Sequence, residues 1–169
     1  MPRGNGPRTL RATISVIVGR GAAKPNIDSG EALKKLLLTA KSVTYANPAG
    51  GGAAGIVVAG LLQRLKITDA VNAKAILVKN GKQVVAKVAK GDAEVGITQT
   101  SIARSSADVT YVGTLPKDAL SDKFWNIGTY VVGVVNGAKE PDAARALIKF
   151  LSSPAAISAL RAKGMDPTH

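Results

Sequence analysis

The sequence predicts an α/β fold in which strands and helices alternate along the chain. Apolar residues make up 46% of the 169 residues and aromatic residues only 4%, so the core must consist mainly of Val, Ile, Leu and Ala. Short runs of β-branched residues alternate with segments whose apolar residues recur at helical spacing. Because strands joined by helices pair in parallel, we expect a largely parallel sheet covered on both faces.

Six apolar runs have the length and composition of strands, and five segments have the spacing of helices. The predicted strands cover residues 14–18, 43–46, 75–78, 94–98, 109–112 and 127–135. The predicted helices begin near Asp28 or Ser29, near Ala53, near Val84, at Pro141 and at Pro154. Residues 1–13 are basic and begin with a Gly- and Pro-rich stretch, so we expect a loose leader there.

The formal net charge of +12 has two interpretations, an anionic partner or a solubility charge spread over several helices. The lysines are scattered, and no basic stripe interleaved with aromatic residues occurs, so we predict no nucleic-acid partner. No stretch has the length and apolar character of a membrane span. The first residues lack the apolar core of a secretory signal, so the chain as written would be cytoplasmic.

Residue types that most enzymes need are scarce. The chain has no Cys, and its one His is the last residue, His169. Thiol chemistry, histidine metal sites and Ser-His-Asp catalysis are therefore not expected. We predict that the protein is not an enzyme and uses neither a cofactor nor a metal.

A glycine-rich segment between a strand and a helix has the pattern of an anion-binding turn. It reads Gly50-Gly51-Gly52-Ala53-Ala54-Gly55 and matches G-x-G-x-x-G. Free N–H groups at a helix N-terminus attract anions, and small residues let a ligand approach. A dinucleotide would also need an acid after the next strand, where Lys79 stands instead. The alternative is a turn that only connects two elements.

Two further candidates are a polar strand end and a tyrosine. The segment Gly96-Ile97-Thr98-Gln99-Thr100-Ser101 ends a predicted strand, where α/β sheets bind ligands, although Thr100 or Ser101 could simply cap a helix. Tyr130 lies in an apolar strand, where a tyrosine is usually part of the core. Trp125 and its neighbour Phe124 fit a hinge or lid packing element.

Several motifs occur in an order that resembles one family from about Ile14 to Pro167. They are Pro25-Asn26-Ile27-Asp28-Ser29 with Glu31-Ala32-Leu33-Lys34, then Tyr45-Ala46-Asn47-Pro48, Gly91-Asp92-Ala93-Glu94-Val95-Gly96-Ile97, Gly137-Ala138-Lys139-Glu140-Pro141, and Lys163-Gly164-Met165. This set is similar to the periplasmic molybdate-binding-protein-like group of ABC-transporter solute-binding proteins.

The resemblance implies a type II periplasmic-binding-protein-like fold that lacks the N-terminal part of lobe one. One complete lobe would contain a mostly parallel sheet, accompanied by inter-lobe strands and the C-terminal helices of the other lobe. Residues 14–26 would form an inter-lobe strand and loop, 27–125 the second ligand-binding lobe, and 126–169 the return strand and helices of a partial first lobe. Self-association through the incomplete lobe is then expected.

The resemblance also implies a function and a set of ligand contacts. The chain would be the periplasmic solute-binding component of an ABC transporter, working with the permease and holding a molybdate-like oxyanion or a small organic anion in the inter-lobe cleft. The implied contacts, extended to their neighbours, are Gly52, Ala53, Ala54, Ile97, Thr98, Gln99 and Tyr130. The alternatives are a ligand-sensing domain of the same fold and a dinucleotide-binding enzyme domain.

Overall fold

The structure is a computed structural model that describes residues 8–121 and 129–168. In these ranges eight strands form two sheets. The strands are β1 Arg8–Ala12, β2 Ile14–Gly19, β3 Val43–Ala46, β4 Ala75–Val78, β5 Val95–Gln99, β6 Val109–Thr114, β7 Thr129–Val132 and β8 Met165–Thr168. The helices are α1 Gly30–Thr39, α2 Ala53–Arg64, α3 Thr68–Asn72, α4 Gly81–Ala89, α5 Thr100–Arg104, α6 Pro141–Leu151 and α7 Pro154–Ala162, with short 3-10 turns at Pro48–Gly50 and Lys117–Ala119.

The larger sheet has five strands in the order β4-β3-β5-β2-β6. β3 is parallel to β4 and to β5, whereas β2 is antiparallel to its two neighbours, β5 and β6. Consequently β4, β3, β5 and β6 all run in one direction and β2 runs in the other. The predicted α/β fold with a mostly parallel sheet is confirmed, and β2 makes the sheet mixed.

Helices cover both faces of this sheet, as the alternation of strands and helices predicted. Leu33 of α1, Val57 of α2 and Val71 of α3 are fully buried in one cluster, which also contains Val16. Ile17, the next residue of β2, belongs instead to a cluster with α4 and α5, because neighbouring side chains of a strand point to opposite faces. We call these two surfaces the α2 face and the α4 face.

The smaller sheet has the order β7-β1-β8, and both pairings are antiparallel. The prediction of a loose leader over residues 1–13 is wrong for Arg8–Ala12, because these residues form strand β1. Its partners lie near the other end of the chain, so short-range sequence patterns do not reveal the strand. The long strand predicted over 127–135 is shorter, since β7 ends at Val132 and residues 127–128 lie outside the described ranges.

Helix α1 shows how local sequence and distant contacts fix one element. The Ser29 side chain accepts a hydrogen bond from the Ala32 N–H at 3.2 Å, as predicted for an N-cap. The carboxylate of Asp118 accepts from the Gly30 N–H at 2.8 Å, so a negative charge lies at the positive end of the helix. Among the described residues, no single helix is long and apolar enough to cross a membrane; α6 and α7, bent by 67°, pass that test only as a pair.

Candidate anion-binding site

The candidate site lies at the carboxyl edge of the larger sheet, where β3, β4 and β5 end and α2, α4 and α5 begin. β3 and β5 are neighbours, with Tyr45 paired to Ile97. The helix after β3 covers the α2 face, and the helix after β5 covers the α4 face. Chains that leave adjacent strands on opposite faces open a crevice, the usual ligand position in α/β sheets.

The N-terminus of α2 opens at this crevice with free hydrogen-bond donors. Gly52 precedes the helix in an extended conformation and provides no side-chain cap. The backbone N–H groups of Ala53, Ala54 and Gly55 make no hydrogen bond to any residue that the structure describes. Free N–H donors and the positive end of a helix are the features with which helix N-termini bind anions, and both are present at this 12-residue helix.

Two of the glycines in the turn have separate roles. Gly51 has φ of 73°, a left-handed conformation that favours glycine. A Cβ on Gly55 would lie 2.5 Å from the Ala46 carbonyl oxygen and 3.0 Å from the Pro48 nitrogen. α2 therefore packs directly on the end of β3. A Cβ on Gly50 or Gly52 would meet nothing within 4 Å, so the turn is open above the site.

Two residues predicted separately meet across the two sheets. Gln99, at the end of β5, donates a hydrogen bond from Nε2 to the hydroxyl of Tyr130 on β7 at 3.0 Å. Tyr130 is 45% exposed, so it is not a core tyrosine. The phenol hydroxyl keeps its own proton available for a further acceptor. The smaller sheet thus presents a hydroxyl donor to the carboxyl edge of the larger one.

A second link between the sheets was not predicted. Thr13, between β1 and β2, and Thr100, at the start of α5, have their hydroxyl oxygens 2.8 Å apart, and the Thr100 N–H donates to the Thr13 carbonyl at 2.8 Å. Gly164 packs against Thr100 from the turn before β8. From the sequence, Thr13 is expected in the leader, and Thr100 is expected only as a strand-end residue or a helix cap.

Ile97 and Thr98, two of the predicted ligand contacts, both have buried side chains. Ile97 is 1% exposed and belongs to the core of the α2 face. Thr98 is fully buried, and its hydroxyl lies against Gly81 of α4 with no hydrogen-bond partner among the described residues. Neither side chain is exposed at the surface. A contact from these two residues to a ligand would therefore come from the backbone.

The charges around the edge favour an anion. The segments 47–54, 79–83 and 97–101 contain no Asp or Glu, but they contain Lys79 and Lys82. The Asn47 N–H donates to the Val78 carbonyl at 2.8 Å, which brings the glycine turn beside the residue that precedes Lys79. The N-terminus of α4 is already capped, because the Asn80 side chain accepts from the Gln83 N–H at 3.1 Å. Of the two longer helices that begin at this edge, α2 is therefore the one without a side-chain cap.

Among the described residues, the two groups with shifted pKa values lie outside these segments. Burial raises the pKa of the Tyr45 phenol, whose hydroxyl donates to Asn72 at 2.5 Å. The hydrogen bond from Lys87 lowers the pKa of the exposed Asp92 carboxyl. Among the residues described, no group of three His, Cys, Asp or Glu side chains could hold a metal ion. Trp125 and Phe124, predicted as a packing element, lie outside the described residues.

The fold and this crevice define a class, the two-sheet α/β binding proteins that hold a small solute between their sheets. Residues 5–166 match the family of bacterial extracellular solute-binding proteins. The chain belongs to this family, and the resemblance seen in the sequence is confirmed. Aconitate isomerase from a Pseudomonas species is 31% identical over 154 residues, which are 91% of this chain and 55% of that protein.

Solved structures with the same fold include molybdate-binding proteins. The substrate-binding domain assigned to a molybdenum ABC transporter of Clostridium difficile is 22% identical with a TM-score of 0.74, and covers 95% of this chain and 65% of its own. The periplasmic molybdate-binding protein of Azotobacter vinelandii is 16% identical with a TM-score of 0.60, and the shares are 97% and 69%. The chain therefore spans about half of the curated relative and about two thirds of these solved chains.

Proposed function

We propose that the protein is the solute-binding component of an ABC transporter and holds a small anion at the carboxyl edge of the larger sheet. The observation that carries the proposal is the uncapped N-terminus of α2, with three free N–H groups at the crevice between β3 and β5. Gln99 and Tyr130 supply further donors from β5 and from the other sheet. Membership of the solute-binding family supports a binding role for this edge.

The ligand class that we favour is a small organic anion with one or more carboxylates. Aconitate, named in the 31% identical relative, is a tricarboxylate. The glycine turn is open, since a Cβ on Gly50 or Gly52 would meet nothing within 4 Å, and Lys79 and Lys82 after β4 offer charges for a second acidic group. A molybdate-like oxyanion is the alternative ligand, since carboxylates and oxyanions both accept hydrogen bonds from N–H and hydroxyl donors.

Calorimetric titration with cis-aconitate, trans-aconitate, citrate, molybdate and sulfate tests this proposal. Ala53→Pro removes one N–H donor at the first helical position, where proline is favoured, and Gly52 already has the extended ψ of 132° that a following proline requires. Ala53→Ser keeps the N–H and is the matched control. We expect binding of at least one anion, weakened about tenfold or more by Ala53→Pro and not by Ala53→Ser. Equal affinity of both variants would refute the α2 site.

We further propose that the two sheets belong to two lobes, with β2 to β6 in the second lobe and β1, β7, β8, α6 and α7 in the first. The family is extracellular, which supports action in the periplasm beside a permease. Site-specific photo-crosslinking of the protein to the permease encoded nearest to it tests the partnership. A product that depends on an exposed residue near the crevice supports the proposal, and no product from any exposed position contradicts it.

The second candidate function is isomerisation of an unsaturated tricarboxylate, favoured by the identity to aconitate isomerase. Such a reaction needs a group that accepts a proton next to the bound anion. Candidates for this group are Lys79 and Lys82, which follow β4, and Tyr130, which accepts the hydrogen bond from Gln99. Chromatographic separation of cis- and trans-aconitate after incubation tests this function. Interconversion that Tyr130→Phe or Lys79→Met abolishes would support catalysis, and binding without interconversion supports transport alone.

A further inference from the structure

Each strand of the smaller sheet is connected to two consecutive residues at the carboxyl edge of the larger sheet, Gln99 and Thr100. β7 contacts Gln99 through the hydroxyl of Tyr130, at 3.0 Å. β1 reaches Thr100 through Thr13, the single residue between β1 and β2, by two contacts of 2.8 Å. β8 follows Gly164, where an added Cβ would lie 2.5 Å from Cγ2 of Thr100. Gln99 and Thr100 therefore fix where the smaller sheet lies relative to this edge.

These contacts close a ring that contains Tyr130. The hydroxyl of Thr100 bonds to the hydroxyl of Thr13. β1 leads from Thr13 back to Leu10, which is paired with Tyr130 in the register of β1 and β7. Leu10 and Thr13 are three residues apart, which is about 10 Å of extended chain. Tyr130 completes the ring through Gln99, the residue before Thr100. A change at the contact between Thr13 and Thr100 would therefore move the Tyr130 hydroxyl relative to β5.

Thr100 can affect a bound solute only through another residue, because it is 2% exposed and its hydroxyl is bonded to Thr13. Replacing this hydroxyl with a methyl group would leave the Thr13 hydroxyl without its partner at a partly buried position, which is unfavourable. The backbone bond from the Thr100 N–H to the Thr13 carbonyl does not depend on the side chain. Such a substitution would therefore change the geometry of the junction without removing the junction.

We propose that Thr100 is a positioning residue for the anion site, and that its hydroxyl contact with Thr13 holds the smaller sheet where Tyr130 can donate a hydrogen bond to the bound anion. This role rests on the proposed function, since Tyr130 is one of the donors of that site. The consequence is an energetic coupling between Thr100 and Tyr130, although Tyr130 is bonded to Gln99 and not to Thr100. The contribution of the Tyr130 hydroxyl to affinity should depend on the Thr100 hydroxyl.

A double-mutant cycle of Thr100→Val and Tyr130→Phe, measured by calorimetric titration with aconitate, citrate and molybdate, tests this coupling. Thr100→Val should raise the dissociation constant about threefold or more in the unmodified protein and have little further effect in the Tyr130→Phe variant. Thr100→Ser keeps the hydroxyl and should restore the affinity. Thr44→Val removes an equally buried, hydrogen-bonded hydroxyl of the larger sheet and should leave the affinity unchanged. Equal effects of Thr100→Val in both backgrounds would overturn the proposal.

NMR spectra of the ligand-free protein separate this role from the proposed function. The Gln99 side-chain amide donates to the Tyr130 hydroxyl, so its resonances should shift in Tyr130→Phe. Thr100→Val should shift the same resonances, and Thr44→Val should not. Thr13→Val breaks the same hydroxyl contact and should act like Thr100→Val, and circular dichroism melts show which variants fold. If the unmodified protein binds no anion, the proposed function fails. Unchanged Gln99 amide resonances in a folded Thr100→Val or Thr13→Val variant overturn the positioning role, whether or not an anion binds.

Discussion

The bond between Gln99 and Tyr130 joins the two sheets at the proposed site, and both residues have exposed or half-buried side chains. Tyr130→Phe removes the hydroxyl but keeps the ring, so the fold should lose little stability, about 0.5 kcal/mol or less. A hydrogen bond to a charged ligand contributes more, so the dissociation constant should rise about tenfold or more. Calorimetry measures the affinity and urea denaturation the stability. Tyr111→Phe, on β6, is the control, and equal effects of both variants on affinity would contradict a ligand contact.

The buried Thr98 is a site where we expect a substitution to increase the stability of the protein. Its buried hydroxyl has no partner among the described residues, so Thr98→Val should remove an uncompensated desolvation cost and stabilise the protein by up to about 1–2 kcal/mol. Thr44→Val is the matched control, because the equally buried Thr44 hydroxyl donates to the Ile76 carbonyl at 2.7 Å. That variant should destabilise the protein. Ligand affinity should not change in Thr98→Val, and a clear loss of affinity or stability would show that the hydroxyl has a partner.

At the residue scale, the sequence predicts which segments lie at the carboxyl edge of the larger sheet better than it predicts which of their side chains face a ligand. The glycine turn and the strand end around Gln99 were found because small and polar residues there interrupt apolar runs. The direction of Thr98 follows from strand alternation, which places it opposite Ile97 and Gln99. What could not be predicted is the meeting of Gln99 with Tyr130, because it depends on how two sheets are placed relative to each other.

At the scale of elements, the position of α2 depends on Gly55. A Cβ there would meet backbone atoms of Ala46 and Pro48, which cannot move as a flexible side chain would. Gly55→Ala should therefore destabilise the protein by about 1–3 kcal/mol and displace the free N–H groups from the crevice, weakening anion binding. Thermal unfolding and calorimetry test both effects. Gly50→Ala, with open space around the added methyl group, is the control and should leave stability nearly unchanged.

The elements that the sequence predicted are those with a local signal. β2 to β7 have apolar, β-branched runs, and α1, α2, α4, α6 and α7 have caps or helical spacing. β1 and β8 have no such signal; β1 pairs with both β7 and β8, and these pairings hold the two strands in place. The short helix α3 was missed for a similar reason, since five residues are too few to establish a period.

At the scale of the whole molecule, the net charge of +12 lies on many elements rather than in one patch. Lys35 of α1 is exposed beside one face of the larger sheet, and Lys82 and Lys90 are exposed at the start and end of α4 on the other. A nucleic-acid surface would place such charges side by side, so that they release counterions together.

We therefore predict that the protein forms no nucleic-acid complex at physiological salt, although it binds small anions. Duplex and single-stranded oligonucleotides in a gel-shift assay test the first part, since stacking aromatic residues are also few. For the second part, stopped-flow measurement of anion binding at increasing salt should show a modest decrease of the association rate, because a scattered positive field attracts the ligand only over about one Debye length. A tight oligonucleotide complex with a steep salt dependence would show that the scattered lysines act together as one surface.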